Sequence, residues 1–355
     1  MNFYKLFLCL LFPAMITSTM AQNPRVVWSI EHANNWYQKC GWLRGCDFIP
    51  STAVNQLEMW QATTFDPVTI DRELGFAEGI GMNCMRVFLH HVAWQEDPSG
   101  FKNRINTFLG IADKHHIRII FVFFDDCWNP VYHKGAQPKP KVGVHNSQWI
   151  RDPGTLFYTE PLLVDTLKAY VKDILITFRS DKRILLWDLY NEPGNSGYEN
   201  KSMSLLQKVF NWARSVNPGQ PLTAGIWNSG FSKLNAFQLA NSDIITYHNY
   251  DDSSGHLACI DTLKKYHRPL ICTEYMARPR NSTFFSIMPM LKKNDIGAIN
   301  WGLVAGKTNT IYAWDSPMPD GAEPKIWFHD IFRPDGEAYN ENEIQFIKSL
   351  TGMTR

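Results

Sequence analysis

Apolar residues along this chain occur in two alternating patterns. Short uninterrupted runs, such as IRIIFVFF at 117–124, predict strands that are covered on both faces. Longer stretches with an apolar residue every three or four positions predict helices with one buried face. The runs predict strands at 83–89, 117–124, 221–226, 243–248, 269–274 and 298–304, and another that begins with the apolar run 184–187, after a first short apolar segment within 40–50. The spaced stretches predict helices at 69–81, 101–116, 160–178, 201–216, 231–240, 256–266, 283–293 and 341–350.

Each predicted strand is followed by a helix or by a long loop, which is typical of a parallel α/β architecture. Eight such units in about 310 residues predict a (β/α)8 TIM barrel with its long loops at the C-terminal ends of the strands. We expect the ordered domain to begin with the segment at 40–50. The structural alternative is a doubly wound open sheet, which usually carries an early glycine-rich phosphate loop, and this sequence has none.

The longest irregular segment, 125–158, is rich in proline, glycine and aromatic residues. Loops of this length in compact domains are usually functional or disordered, and the many aromatic residues argue against disorder. We therefore expect this segment to shape a functional site.

The charge balance excludes two classes of partner. Lys and Arg total 35 and Asp and Glu total 34, so the chain has no basic surplus for nucleic acid or an anionic membrane surface. Aromatic residues make up 14% of the chain, including 13 Trp. A surplus of Trp suits stacking on the apolar face of a sugar or another flat ligand.

The first residues have the features of a secretory signal peptide. Lys5 is followed by an apolar core from Leu6 to Ile16, and small residues precede a cleavage site before Gln22. We therefore predict a signal peptide at 1–21, a single catalytic domain at 22–355, and a secreted or periplasmic protein without membrane attachment after cleavage. An uncleaved anchor is the alternative.

Six cysteines follow the predicted signal, at wide and irregular spacings without a Cys-x-x-Cys pair, so no zinc site is indicated. Cys46, Cys84 and Cys272 lie in apolar runs and are expected to be buried. The spacing leaves a local Cys40–Cys46 disulfide open.

Polar or aromatic residues stand at the C-terminal ends of nearly all predicted strands, where a barrel places its catalytic groups. They are Arg86 at the second strand, Asp125, Asp126 and Trp128 at the third, Asn191 and Glu192 at the fourth, His248 and Tyr250 at the sixth, Glu274 at the seventh and Trp301 at the eighth. A barrel with a purely structural role does not require this set.

Two of these residues, Glu192 and Glu274, form the pair that glycoside hydrolysis needs. The fourth and seventh strands lie across the barrel mouth from each other, so the two carboxyls would face one another. One would protonate the leaving oxygen, and the other would attack the anomeric carbon or activate water.

This order of residues resembles clan A of the glycoside hydrolases, the retaining 4/7 barrels, and within it the family 5 cellulases and mannanases. The resemblance implies that Glu192 is the acid/base and Glu274 the nucleophile, with their carboxyls about 5–5.5 Å apart. It further implies substrate-binding or supporting roles for Arg86, Asn191, His248, Tyr250 and Trp301. No cofactor or metal is implied, and the expected partner is a β-glycan or oligosaccharide.

The chain departs from family 5 at the third strand, where Asp125 and Asp126 stand in place of the histidine common in that family. These carboxylates either bind sugar hydroxyls or cap a helix. Trp128, Trp149, Trp227 and Trp314 are further candidates for sugar platforms.

Two other functions compete with hydrolysis. A metal-dependent barrel enzyme would need clustered ligands, for which His90, Asp125 and His248 are the candidates. A barrel that binds glycans without cutting them is the other alternative, since a fold does not determine a function.

Overall fold

The computed structural model describes residues 25–353. The signal peptide predicted at 1–21 lies outside these residues. Within 25–353, no helix combines the length and the apolar character needed to cross a bilayer.

Eight parallel strands form one sheet with the order β5-β4-β3-β2-β1-β8-β7-β6. Strands β1 to β8 span Arg44–Asp47, Cys84–Phe88, Arg118–Asp125, Ile184–Asn191, Leu222–Thr223, Ile245–His248, Leu270–Glu274 and Gly297–Trp301. A parallel bridge between Ile226 and Tyr247 joins the β5 edge to β6. The sheet therefore closes on itself, and the predicted TIM barrel is confirmed.

Helices surround this sheet. Helices α1 to α11 span Ile30–Cys40, Gln56–Trp60, Pro67–Gly79, His91–Glu96, Pro98–Lys114, Leu163–Phe178, Met203–Val216, Ser232–Asn241, Ser253–Leu263, Phe284–Lys293 and Glu341–Thr351. The eight predicted helices are present, with ends shifted by up to three residues. Helices α1, α2 and α4 were not predicted.

The expected start of the ordered domain at residue 40 is wrong, because α1 precedes β1. The helix begins after Ser29, whose hydroxyl accepts a hydrogen bond from the His32 backbone N–H. It buries only Ala33 and Tyr37. The segment is mostly polar, so it lacks the many apolar residues by which the other helices were predicted, although its few apolar residues share one face.

The barrel has three apolar clusters, of which the smallest, formed by Phe88, Val122, Trp149 and Trp301, lies beside the cleft of the candidate site. The largest cluster lies between the strands and the helices around them. The second cluster fills the barrel near the N-terminal ends of the strands, where Tyr37 of α1 packs with Ile120, Leu186, Ile271 and Ile299. Helix α1 therefore packs against the end of the barrel opposite the candidate site.

The described cysteines are free thiols, so the Cys40–Cys46 disulfide that the spacing left open is not formed. Cys46 points into the core, where its Sγ lies 3.2 Å from the Met85 Sδ. Cys46, Cys84 and Cys272 are all fully buried, as predicted.

Candidate active site

A cleft of about 430 Å³ opens at the C-terminal ends of the strands. Strands β4 and β7 bring Glu192 and Glu274 to its lining from opposite sides of the barrel. Glu192 directly follows β4 and adopts a left-handed backbone conformation with φ of 44°. Such a conformation is rare for residues other than glycine and is frequent at functional sites.

Glu274 is held by two donors. Its Oε1 accepts from the Arg86 guanidinium at 3.0 Å, and its Oε2 accepts from the Tyr250 hydroxyl at 2.9 Å. Both donors favour the ionised carboxylate. The arrangement fixes the direction in which the Glu274 side chain points.

Arg86 is fully buried and lies behind the cleft rather than in it. It also forms ion pairs with Asp47 at 2.8 Å and Asp188 at 2.9 Å, and donates to the Asn191 Oδ1 at 2.6 Å. The donors of Arg86 are therefore used within the protein, on Glu274 and Asn191 among others, in keeping with the supporting role that the resemblance implies for it rather than with direct substrate binding. Asp188 was missed because it lies inside the apolar run of β4.

Glu192 has a different set of neighbours. Its Oε1 lies 2.8 Å from the His248 Nδ1, and its Oε2 accepts from the Cys127 thiol at 3.2 Å and from the Asn195 amide. None of these partners carries a permanent positive charge. Neither Cys127 nor Asn195 was predicted to belong to the site, although both lie within three residues of predicted site residues.

The two carboxyls are close together. Single side-chain atoms of Glu192, His248 and Glu274 all lie within 4.8 Å of one another. Burial raises the pKa of Glu274 to about 7. The neighbouring charge of Glu192 adds to this rise, whereas His248 and Arg86 lower the pKa. Burial also raises the pKa of Glu192. Carboxyls this near cannot both ionise easily, so the pair retains a proton close to neutral pH.

His248 lies between the two carboxyls, with its Nδ1 3.5 Å from the Glu274 Oε2. Burial lowers the pKa of His248 to about 4. The imidazole is therefore neutral at the pH values where the carboxyl pair titrates.

Asn191 lines the cleft, and Asp125 stands behind it. The Asn191 amide donates to Asp125 at 2.9 Å, and the Trp149 indole donates to the other Asp125 oxygen at 2.7 Å. The substrate-binding role predicted for Asp125 is corrected, because both of its oxygens accept from protein donors. Asp126 is also enclosed and accepts from the Gly194 backbone at 2.8 Å.

Aromatic rings form most of the remaining lining. All the tryptophans named as platform candidates, and Tyr250, are part of it: Trp128, Trp149, Trp227, Trp301 and Trp314. Two histidines that the sequence analysis did not single out, His145 and His329, also line the cleft. His145 lies in the long irregular segment, and His329 lies in the loop after β8. Neither stands at the end of a strand, so the sequence pattern did not indicate a role for them.

Two groups of three metal-ligand side chains occur among residues 25–353. One is Glu192, His248 and Glu274, and the other is His90, His91 and Asp152. In the second group the His91 backbone N–H donates to Asp152 at 2.7 Å, which ties α4 to the loop after β3. The set weighed from the sequence, His90, Asp125 and His248, is not one of these two groups.

No family model and no curated protein matches this sequence. Solved structures do match its fold. GH5_18 from Streptomyces cattleya, in complex with GlcNAc, matches with a TM-score of 0.58 and 11% identity over 87% of this chain and 79% of its own.

Two mannan-active enzymes match similarly. An exo-β-1,4-mannosidase from an Opitutaceae bacterium has a TM-score of 0.61 and 15% identity, over 88% of this chain and 60% of its own. The endo-β-1,4-mannanase from Thermotoga petrophila has a TM-score of 0.57 and 15% identity, over 88% of this chain and 76% of its own. The chain shares the barrel fold of these glycoside hydrolases. At these identities the likeness concerns the fold and does not establish the function.

Proposed function

We propose that this protein is a retaining β-glycoside hydrolase that acts on β-linked glycans or oligosaccharides. The observation that carries the proposal is the pair Glu192 and Glu274, with side-chain oxygens within 4.8 Å of each other across an aromatic cleft. Retaining enzymes keep their carboxyl groups about 5–5.5 Å apart, whereas inverting enzymes need roughly 6.5–9.5 Å to admit a water.

The roles proposed for the two carboxyls are based on their contacts. Arg86 gives Glu274 a charged donor, and Tyr250 gives it a second donor, so the negative charge belongs on Glu274. Glu192 has only uncharged partners, so the shared proton belongs on Glu192. Glu274 is then the nucleophile and Glu192 the general acid.

The reaction proceeds in two displacements. A Glu274 oxygen bonds to the anomeric carbon while the glycosidic C–O bond breaks, and the leaving oxygen takes the proton of Glu192. The charge on Glu274 is thereby lost. Glu192 then accepts a proton from water, the water oxygen bonds to the anomeric carbon, and the ester bond to Glu274 breaks.

The surroundings support a neutral carbohydrate as the substrate. The tryptophans of the cleft offer faces for the apolar sides of sugar rings, and Asn191, which lines the same cleft as the two carboxyls, offers an amide to a sugar hydroxyl. We also propose that residues 22–355 form a single catalytic domain, secreted or periplasmic after removal of residues 1–21. The basis for this is the N-terminal sequence pattern.

Conservative substitutions test the two roles. On a 4-nitrophenyl β-glycoside, Glu192→Gln should lower kcat/KM by about 10²–10⁴-fold through loss of general acid–base catalysis, and Glu274→Gln should abolish turnover. On a 2,4-dinitrophenyl glycoside the leaving group needs no proton, so Glu192→Gln should still form the glycosyl-enzyme rapidly and stall at its hydrolysis.

Glu199→Gln is the control, because Glu199 is exposed on the same loop as Glu192. It should keep wild-type activity. Unchanged turnover in Glu192→Gln or Glu274→Gln would contradict the site assignment. A wild type that binds glycans but cleaves none would favour the non-catalytic alternative.

A further inference from the structure

Two long loops meet over the cleft and form a wall. The β3 loop is residues 126–162, and the β8 loop is residues 302–340. The Asn146 backbone N–H donates to the Thr308 carbonyl at 2.8 Å, and the Met318 N–H donates to the Gly143 carbonyl at 2.9 Å. Because these are backbone bonds between buried or half-buried segments, the two loops form one continuous barrier.

Gly143 makes the close approach of the loops feasible. It is buried and has a φ of 65°, in the left-handed region that favours glycine. A Cβ added there would lie 1.7 Å from the Met318 carbonyl oxygen. Any side chain at 143 must therefore push the two loops apart.

The β3 loop begins beside Glu192, where Cys127 donates to its Oε2, but the part of the wall where the two loops meet reaches the Glu274 side of the cleft. The His145 Nδ1 donates to the Tyr312 carbonyl at 2.8 Å. This bond fixes the His145 imidazole, which belongs to the β3 loop, to the backbone of the β8 loop. The Trp314 ring lies 5.0 Å from the Tyr250 ring, whose hydroxyl donates to Glu274. On the Glu192 side the lining residue Ser196 is exposed, so the cleft reaches solvent there.

The direction of the substrate follows from the roles of the two carboxyls. The acid protonates the leaving oxygen, so the leaving part of the chain lies on the open Glu192 side. The sugar that bonds to Glu274 lies on the walled side. In a β-glycan, further residues on that side continue toward the non-reducing end.

We propose that the wall of the β3 and β8 loops makes the enzyme exo-acting, so that it releases single terminal residues from the non-reducing end of a β-linked oligosaccharide. This inference rests on the proposed function.

The wall also supplies groups that recognise the terminal sugar. His145 and His329 direct their Nδ1–H groups to the backbone carbonyls of Tyr312 and Met276. Each Nε2 is then an acceptor, and the hydrogen bonds described for these two rings within residues 25–353 involve only their Nδ1 atoms. Burial lowers the pKa of His145 to about 4, and that of His329 well below its usual value, so both are neutral. Two neutral acceptors bind sugar hydroxyls and disfavour a carboxylate.

The test uses the products released from β-1,4-mannohexaose and cellohexaose labelled at the reducing end, together with 4-nitrophenyl β-mannoside and β-glucoside. The wild type should release only monosaccharide, and the labelled chain should shorten one residue at a time. An early mixture of shorter labelled chains would mean internal cleavage and would overturn the exo inference while leaving the hydrolase proposal intact. Absence of cleavage of every glycoside would overturn the proposed function itself.

Two glycine substitutions distinguish the effect of opening the wall from the effect of backbone strain elsewhere in the loop. Gly143→Ala should part the loops, so that labelled products of internal cleavage appear while activity on the aryl glycoside changes less than threefold. Gly135→Ala is the matched control, since Gly135 lies in the same loop with a φ of 81° but has no atom within 4 Å of an added Cβ. It should remain strictly exo-acting. If a folded Gly143→Ala protein, verified by circular dichroism, also releases only monosaccharide, the wall does not determine the mode of action.

Discussion

Asp125 shows how a buried residue controls a site that it does not line. It orients Asn191 through one oxygen and Trp149 through the other. Asn191 in turn accepts from Arg86 at 2.6 Å, so Asp125 and Arg86 hold the amide from both sides. The orientation of Asn191 toward a sugar hydroxyl is therefore set behind the cleft.

Asp125→Asn should lower kcat/KM by roughly ten- to one-hundred-fold, corresponding to about 1–3 kcal/mol for an unsatisfied buried donor. The new amide must direct its NH₂ group at an existing donor, either the Asn191 amide or the Trp149 indole. Steady-state kinetics on an aryl β-glycoside measures the effect.

Asp126→Asn serves as the comparison, because Asp126 accepts from the Tyr190 hydroxyl at 2.8 Å and from the Gly194 backbone. It should lower thermal stability more than activity. Wild-type kinetics in Asp125→Asn, or equal losses of activity in both variants, would contradict the positioning role.

At the scale of single residues, the sequence predicts groups that follow a strand end and misses those that do not. Glu192 and Glu274 stand at the ends of strong apolar runs, so their position could be inferred. Asp188 is hidden within such a run, and His145 and His329 lie in loops without periodicity. Their proximity to the site arises only from tertiary contacts.

Among the elements, helix α1 shows a role confined to stability. It packs against the N-terminal end of the barrel, far from the cleft, through Ala33 and Tyr37. The N-terminal end of a barrel serves stability, whereas the C-terminal end carries function.

Tyr37→Ala should therefore lower the free energy of unfolding by about 3–5 kcal/mol through loss of a buried aromatic ring. Its kcat/KM at temperatures where it remains folded should equal that of the wild type. Urea denaturation measures the first quantity. Gln38→Ala, an exposed change on the same helix, should stay within about 0.5 kcal/mol. A loss of activity without a loss of stability in Tyr37→Ala would place α1 in the functional machinery.

The elements that the sequence predicts best are those with long periodic patterns, such as α6 and β3. Helices α2 and α4 are only five and six residues long, and they give too few positions for a period to be seen. Strand β5 has two residues, although its apolar run predicts six at 221–226, because the barrel closes there through a single bridge.

At the scale of the whole molecule, the alternation of strands and helices determines the barrel, and the barrel brings β4 and β7 to face each other. The closing wall could not be predicted in the same way. Its contacts, such as that between His145 and Tyr312, join residues 167 positions apart and involve backbone carbonyls that leave no trace in the sequence. The reaction class could thus be inferred from the sequence, whereas exo action is inferred from contacts that only the structure shows.

The central claim is that Glu274 forms a covalent bond with the sugar and that Glu192 serves both displacements. The most direct test is ¹H NMR spectroscopy of the first product formed from an aryl β-glycoside, recorded before mutarotation. Two displacements at the anomeric carbon preserve its configuration, so the β-anomer should appear first and the α-anomer only later. Initial release of the α-anomer would show a single displacement by water and would contradict the role of Glu274 as the nucleophile.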